Sequence, residues 1–296
     1  MGKRCLGMGR MAARARVVHS SRRHVTAAVL GMSTLLRMQI ALPSCAWLGP
    51  RATQPRDVTR CFALVGEEWG RAATDEELSQ NLPKLYVYDH CPFCVRARMI
   101  FGLKKLPHRL AFLMNDDVVT PTRMIGKKVL PILEQGGKAM GESLDIVAKI
   151  DADQPVLSPA AGRKDIAEWQ RETAGLVRQL TRPREAEALF AEFSTKVARQ
   201  TWIKNHQLEG TTFEKCLAAT PDLLEGLNAA LPKLDAMLHN DRSVNAEGPS
   251  YDDITLFPTL RRLSIVKGIA WPEKLERYLK YMADASDVPL LERMAS

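Results

Sequence analysis

The chain has 296 residues, 46% of them hydrophobic and 26% charged, a composition typical of a soluble globular protein with room for about two domains. This composition excludes a collagen, a disulfide-dense scaffold and a protein with many membrane spans. Of the net charge of +8, ten positive charges and no negative one precede Asp57, which leaves −2 for residues 57–296. We therefore expect no nucleic-acid partner for the folded part.

Residues 1–82 form an extension that differs from the rest of the chain, because they lack sustained helix or strand periodicity. We expect this extension to be disordered. Its apolar stretch at 25–36 is too short to span a bilayer, so no membrane partner is expected. An organelle transit peptide, a bacterial secretory signal and upstream sequence from a start codon placed too early remain open as interpretations. The third is favoured because a fold begins abruptly at Lys84, and it predicts a cytoplasmic location.

From Lys84 the pattern predicts a small α/β domain over residues 84–150. Strands are predicted at 85–88, 109–114, 128–133 and 139–140, and helices at 92–105, 120–125 and 142–150. Pro131 interrupts the third strand, and Gly136-Gly137 is typical of a hairpin turn. The order β-α-β-α-β-β-α is that of a thioredoxin-like domain.

Residues 151–162 contain two prolines and are predicted to be a linker. Beyond the linker, residues 163–296 are predicted to form an all-α domain, with helices at 163–180, 183–193, 195–207, 212–219, 221–238, 251–266 and 272–285. Ser250 and Asp253 predict a capping-box start for the helix at 251–266. The predicted fold class is therefore an α/β thioredoxin-like domain followed by an all-α domain.

The run Cys91-Pro92-Phe93-Cys94 carries the predicted chemistry. Cys91 lies where a strand ends and Pro92 opens a helix, and the free N–H groups and dipole of a helix start favour a thiolate. Cys94, one turn further along, is spaced to attack a mixed disulfide on Cys91 and release its partner.

The six cysteines include only this one pair with motif spacing, which favours a reducing compartment over a disulfide framework. Zinc binding is the alternative use of such a pair. A structural zinc site needs four ligands, and no second pair of Cys or His lies at close spacing, so we expect no metal. Cys216, alone on a predicted helix, is typical of a buried small hydrophobic residue.

Two further features suit a site for glutathione. A cis proline at 131 would bend the chain beside the active cysteine and leave the backbone of Leu130 free to pair with an incoming peptide; the alternative is an edge-strand proline. Glu142 and Ser143 open a helix whose N-terminus suits a carboxylate, while an acidic side chain holds an ammonium group. The γ-glutamyl end of glutathione carries both charges. The alternative is that this pair only caps its own helix.

From Lys84 to near the C-terminus the sequence resembles the glutaredoxin 2 family, bacterial two-domain glutaredoxins with the architecture of glutathione S-transferases. The resemblance is carried by residues 84–86, 89–92, 97–103, 115–117, 120–124, 131–133, 142–143, 145–147, 193–195, 252–254, 256–258, 268–269 and 271–272. It implies a monomeric enzyme that uses glutathione as co-substrate to reduce protein–glutathione mixed disulfides and disulfides.

The resemblance also implies residue roles. Cys91 is then the nucleophile and Cys94 the resolving thiol, and the site residues that bind glutathione are Leu130 and Pro131 at its cysteinyl backbone and Glu142 and Ser143 at its γ-glutamyl end. The family usually has Tyr at the position of Phe93, so this chain lacks that hydroxyl.

Three other functions remain as alternatives. A cysteine-type glutathione transferase or dehydroascorbate reductase usually keeps only the first cysteine, so Cys94 counts against it. A secreted, oxidising thiol enzyme requires the extension to be a true signal. A non-catalytic binding scaffold of the glutathione S-transferase fold has no need to keep both cysteines, Pro131 and the pair Glu142-Ser143.

Overall fold

The computed structural model describes residues 81–296. The interpretations of the N-terminal extension therefore concern residues that lie, up to residue 80, outside the described part of the chain. The α/β part contains β1 (Lys84–Val87), α1 (Pro92–Leu103), β2 (Arg109–Phe112), α2 (Val119–Ile125), β3 (Ile132–Gln135), β4 (Lys138–Met140) and α3 (Ser143–Asp151).

The four strands form one sheet in the order β2-β1-β3-β4, in which β1 and β2 are parallel and the other two pairs antiparallel. Leu85 and Val87 point from β1 into the core, as the alternation of a strand requires. Helices α1 and α3 pack together. The carboxyl end of β1 therefore leads directly into the start of α1.

The helical part contains α4 (Lys164–Glu187), a 3₁₀ turn (Ala191–Phe193), α5 (Lys196–Asn205), α6 (Phe213–Ala218), α7 (Thr220–Met237), α8 (Tyr251–Leu263), α9 (Glu273–Ser286) and a second 3₁₀ turn (Glu292–Met294). The start of α8 has the capping box, since the Ser250 N–H donates to Asp253 at 2.8 Å. Within residues 81–296, no helix is both long and apolar enough to cross a membrane.

The predicted strand at 128–133 is wrong in its position. β3 begins at Ile132, directly after a cis peptide bond between Leu130 and Pro131. Proline has no N–H with which to extend the ladder. The groups of Tyr88 that would pair with Leu130 are also occupied, because its N–H donates to Cys94 Sγ and its carbonyl accepts from Cys91.

The two helices predicted at 163–180 and 183–193 are also wrong. A single helix, α4, continues through Pro183 to Glu187, and only a 3₁₀ turn follows it. Proline removes one helical hydrogen bond and usually ends or kinks a helix. Tertiary contacts hold the last turn of α4 here, because Arg262 of α8 donates to both carboxylate oxygens of the buried Glu185, at 2.7 and 2.6 Å.

Helix α1 lies against α8 and α9 of the helical part, so the buried core is continuous across the two parts. The approach of α1 to the end of α9 is very close at Gly102. A Cβ added there would lie 1.8 Å from the carbonyl oxygen of Ser286. The helix that begins beside Cys91 is therefore positioned by the helical part as well as by the sheet.

Candidate active site

Cys91 is the N-cap of α1, with an extended backbone (φ −76°, ψ 120°), and Pro92 is the first residue of the helix. Proline is well suited to this position because its missing N–H needs no helical partner. The Cys91 carbonyl accepts from Val95 N–H at 3.0 Å, so the helix starts without a break. The thiol thus lies at the positive end of the helix and remains partly exposed.

Cys94 lies one turn into α1 and is fully buried. Its Sγ accepts a hydrogen bond from the N–H of Tyr88 at 3.3 Å. Burial, followed by the hydrogen bond to Cys91 and the negative charge there, raises the pKa of Cys94 well above its ordinary value. Cys94 is therefore a thiol at neutral pH and can donate a proton.

The pKa of Cys91 is lowered from 9.0 to about 6. The largest cause is a hydrogen bond from the thiol of Cys94, which burial of Cys91 opposes. A positive charge on His90 and the backbone N–H groups of Cys94 and Phe93 lower the pKa further. At neutral pH Cys91 is therefore mostly thiolate, which is the nucleophilic form of cysteine.

We expect the rate of Cys91 alkylation by iodoacetamide to be half-maximal near pH 6 and to fall about tenfold per pH unit below it, since protonation removes the thiolate. Cys94→Ala removes the hydrogen-bond donor and should move the midpoint up toward 9.0. Cys94→Ser is the matched control because its hydroxyl still donates. Equal midpoints for the two variants would contradict this origin of the shift.

Phe93 forms the outer rim of the site, with 51% of its surface exposed. The guanidinium carbon of Arg96 lies 4.9 Å from the centre of its ring, a cation–π distance. The ring and the cation lie on the first turn of α1, next to the thiolate. An exposed apolar ring and a positive charge therefore lie next to the nucleophile.

The Leu130–Pro131 peptide lies at the same end of the sheet as the cysteines. The antiparallel register pairs Tyr86 with Ile132, so Leu130 falls opposite Tyr88, the residue that contacts Cys94. Within residues 81–296 the backbone N–H and C=O of Leu130 have no hydrogen-bond partner. These two groups are therefore available to an extended ligand.

Glu142 and Ser143 begin α3 and lie next to Pro131. The pairing of Leu133 with Met140 in the β3–β4 hairpin places Pro131 opposite Glu142. Glu142 has φ +65°, a conformation that costs a non-glycine residue about 1–3 kcal/mol and is found mainly at functional sites. Its exposed carboxylate accepts from Lys127 Nζ at 2.7 Å, and Ser143 is buried behind it. The structure thus brings Cys91, Leu130, Pro131 and Glu142-Ser143 to the same end of the sheet.

Asp89 and His90, the two residues that directly precede Cys91, make contacts with the helical part that the sequence did not predict. Asp89 accepts hydrogen bonds from Arg98 (2.6 Å) and from the fully buried Arg261 of α8 (2.8 Å). Burial acts to raise the pKa of Asp89, but Arg261 and Arg98 outweigh it and lower that pKa. His90 is held by Glu192 at 2.7 Å and by Trp202 at 2.9 Å. No local pattern signals these contacts.

Metal binding has no candidate in the described part of the chain, since residues 81–296 contain no group of three or more His, Cys, Asp or Glu side chains placed to hold an ion.

Cys216 is buried, as predicted for a lone cysteine on a helix. Its Sγ lies 3.7 Å from Thr211 Oγ1 and 4.0 Å from Gln179 Oε1, away from Cys91 in sequence and on a different helix.

Comparisons with known proteins bear on the family and the fold of this chain. Residues 85–160 match the family described as glutathione S-transferase, N-terminal domain, and residues 165–295 match glutaredoxin 2, C terminal domain. The chain is 42% identical over 219 residues to glutaredoxin 2 of Escherichia coli strain K12, covering 72% of this chain and 99% of that protein.

A crystal structure of glutaredoxin 2 from Salmonella typhimurium in complex with glutathione is similar to this chain with a TM-score of 0.70 and 44% sequence identity. The match covers 73% of this chain and 100% of that chain. The predicted family, the thioredoxin-like and glutathione S-transferase-like fold class and the enzyme class are thereby confirmed. This chain belongs to the glutaredoxin 2 family of glutathione-dependent oxidoreductases.

Proposed function

We propose that this protein reduces protein–glutathione mixed disulfides and protein disulfides, with glutathione as the electron donor, Cys91 as the attacking sulfur and Cys94 as the resolving thiol. The observation that carries the proposal is the unequal pair of cysteines. Cys91 is partly exposed with a pKa of about 6, while the pKa of the buried Cys94 is raised. One sulfur is thus a nucleophile and the other a proton donor.

With a glutathionylated protein, the Cys91 thiolate attacks the glutathione sulfur and the protein thiol leaves. The new Cys91–glutathione disulfide is then attacked by the thiolate of a second glutathione, which regenerates Cys91 and releases glutathione disulfide. Two electrons pass from glutathione to the protein thiol in one cycle. A proton taken up by the leaving protein thiolate balances the proton lost by the second glutathione.

With a protein disulfide, Cys91 forms a mixed disulfide with one substrate sulfur, and the second substrate sulfur leaves as a thiol. Cys94 then loses its proton, attacks the Cys91 sulfur and releases the reduced substrate, which leaves a disulfide between the two active cysteines. Two glutathione molecules reduce that disulfide. The positions of the two cysteines support this step, because Cys91 is the N-cap of α1 and Cys94 lies one turn further along the same helix.

The same proposal assigns the glutathione subsites. The unpaired backbone of Leu130, before Pro131, is available to the cysteinyl backbone of glutathione in the manner of a short added strand. The N-terminus of α3 with Ser143 suits the γ-glutamyl carboxylate, and Glu142 suits its ammonium group. The solved Salmonella relative contains glutathione, which supports a site for this ligand.

The test is the glutathione-dependent reduction of a small glutathione mixed disulfide, followed by formation of glutathione disulfide. We expect Glu142→Gln to raise the KM for glutathione about tenfold with little change in kcat, because one charged hydrogen bond is weakened by about 1.5 kcal/mol. Glu276→Gln is the control, since Glu276 pairs with Lys280 on the exposed face of α9. An unchanged KM for Glu142→Gln would contradict the γ-glutamyl site.

A cysteine-type glutathione transferase is disfavoured by Cys94. That residue is fully buried in contact with the nucleophile, where it has no role in forming a thioether. The same assay separates the two functions, because a transferase would conjugate glutathione to an electrophile such as chlorodinitrobenzene. A conjugation rate above the disulfide-reduction rate would favour the transferase.

We also propose that the protein works as a monomer in the cytoplasm. A glutathione-reducing enzyme needs a pool of reduced glutathione, and that pool is maintained in reducing compartments. Light scattering measures the mass of the purified protein in solution and tests the monomeric state. Fractionation of the cells that make the protein shows its compartment and tests the cytoplasmic location. A dimeric mass or a periplasmic or organellar fraction would contradict them.

A further inference from the structure

The nucleophile follows a four-residue turn that joins β1 to α1. The Cys91 N–H donates to the Tyr88 carbonyl at 3.4 Å and closes this turn, in which Asp89 and His90 are the two central residues. The peptide between the central residues of a turn can point in either of two opposite directions, because the common turn types differ in its orientation. Its direction fixes the path by which the chain enters Cys91.

Both ends of the Asp89–His90 peptide are held by charged side chains of the helical part. Its carbonyl oxygen accepts from Nη1 of Arg261, in α8, at 2.6 Å. Its N–H donates to Oε1 of Glu192, in the first 3₁₀ turn, at 3.0 Å. Both side chains are fully buried, and hydrogen bonds to charged groups are about twice as strong as neutral ones. A reversal of this peptide would break both bonds at once.

The two side chains are themselves held in place by further contacts. Arg261 also donates to the Asp89 carboxylate and to the Pro289 carbonyl, each at 2.8 Å. The Glu192 oxygen that accepts from the main chain of His90 also lies 2.7 Å from Nδ1 of its ring. The cation and the anion therefore cannot follow the peptide if it turns, and they select one orientation.

The α/β part gives this peptide no hydrogen-bond partner. Within residues 81–296, the Asp89 carbonyl accepts only from Arg261, and the His90 N–H donates only to Glu192. The glutathione subsite proposed at Leu130 belongs to the sheet, opposite the start of the turn. The placement of the Cys91 sulfur relative to that subsite thus depends on a peptide that the helical part holds.

We propose that Arg261 and Glu192 are positioning residues for the thiol chemistry: by holding the two ends of the Asp89–His90 peptide, they set Cys91 in line with glutathione bound at Leu130. This inference rests on the proposed function, in which Cys91 is the nucleophile and Leu130 binds glutathione. It assigns the helical part a role in aligning the reacting sulfur atoms.

The first experiment measures amide hydrogen exchange of the full chain by ¹H–¹⁵N NMR, which reports on the His90 N–H without any enzyme assay. Arg261→Met releases the other end of the same peptide. We expect His90 exchange to become at least about tenfold faster, as for the loss of one hydrogen bond to a charged group, while the amides of α7 keep their wild-type rates. Unchanged His90 exchange would show that Glu192 holds the peptide alone and would overturn the proposal.

The second experiment compares two reactions of Cys91 at about pH 8, where the thiolate predominates. One is the first turnover with a glutathionylated peptide, which requires alignment with the glutathione subsite. The other is alkylation by iodoacetamide, which does not. In Arg261→Met the ratio of the first rate constant to the second should fall at least about tenfold, since a misplacement of about 1 Å can cost about 10²-fold.

A smaller folded fraction lowers the amplitudes of both reactions and leaves this ratio of rate constants unchanged. A wild-type ratio in Arg261→Met would contradict the positioning role. The proposed nucleophile is tested separately, because Cys91→Ser removes both reactions.

Conservative variants separate position from charge. Glu192→Gln keeps an oxygen that accepts from the His90 N–H and should keep most of the wild-type ratio, whereas Glu192→Ala should lower the ratio as Arg261→Met does. Arg261→Lys keeps one charged donor and should give an intermediate ratio. Equal falls in Glu192→Gln and Glu192→Ala would mean that the charge of Glu192 matters rather than its hydrogen bond, and would contradict the proposal.

Arg184→Met is the matched control, because Arg184 is also a buried arginine of the helical part. It donates to the carbonyl oxygens of Ser296 at 2.6 Å and Leu180 at 2.8 Å, and makes no hydrogen bond to residues 88–91. We expect the wild-type ratio and wild-type His90 exchange in this variant. Changes as large as those in Arg261→Met would indicate general loosening and would contradict the proposal.

Discussion

Cys91→Ser is expected to abolish glutathione-dependent disulfide reduction, with a loss on the order of 10³-fold or more, because a serine hydroxyl is not ionised at neutral pH. Cys94→Ser should behave differently. Reduction of a glutathionylated substrate needs only the Cys91 sulfur and should persist, since the serine hydroxyl still donates to the thiolate. Reduction of a protein disulfide through the dithiol route should be lost, because no second sulfur can resolve the intermediate.

Both variants are measured with the two substrates side by side, by the release of glutathione disulfide. Cys216→Ser is the control for replacement of a buried cysteine. A serine hydroxyl can donate to Gln179 Oε1 and can exchange a hydrogen bond with the Thr211 hydroxyl, as the thiol of Cys216 does. We expect wild-type rates for it with both substrates. Activity that survives in Cys91→Ser would refute the proposed nucleophile, and dithiol reduction that survives in Cys94→Ser would refute the resolving role.

Gly102→Ala is expected to lower the free energy of unfolding by about 3 kcal/mol, the upper end of the usual effect of overpacking. The added Cβ would lie 1.8 Å from the carbonyl oxygen of Ser286 and 2.1 Å from its carbonyl carbon. These are backbone atoms at the end of α9, so no side-chain rotation relieves the clash. Helix α1 and α9 must move apart, and both lie in the continuous core.

Urea unfolding measures this effect, and Gly175→Ala is the matched control. Gly175 lies inside α4 with nothing within 4 Å of an added Cβ. Alanine there should stabilise the protein by about 0.5–1 kcal/mol, because it reduces the entropy of the unfolded chain and favours helix. A Gly102→Ala protein that unfolds at the same urea concentration as the wild type would contradict the close helix approach.

The active cysteines were predictable because their properties depend on short stretches of chain. A strand, a proline and a CxxC spacing lie within eleven residues, from Lys84 to Cys94, and together they indicate a thiol at a helix start. The pairs Leu130-Pro131 and Glu142-Ser143 were predicted in the same way, from a proline within a strand pattern and a polar helix start. Their roles toward glutathione remain proposals.

The errors in secondary structure arose where tertiary contacts override local preference. Pro183 argues for a helix end by every local rule, yet α4 continues past it because Glu185 is paired with Arg262 from a helix far along the chain. The strand predicted at 128–133 failed for a related reason. The partner groups on Tyr88 are taken by the two active cysteines, so the ladder stops at Ile132.

The sequence by itself therefore determined the family, the order of the α/β elements and a thiolate at the start of α1, since each of these follows from local pattern and spacing. Only the tertiary structure decided how that thiolate is surrounded. Glu192 and Trp202 reach His90 across 102 and 112 positions, and Arg261 reaches Asp89 across 172. Pairings over such distances leave no periodic signal in a single sequence, because they depend on how the helices pack around the site.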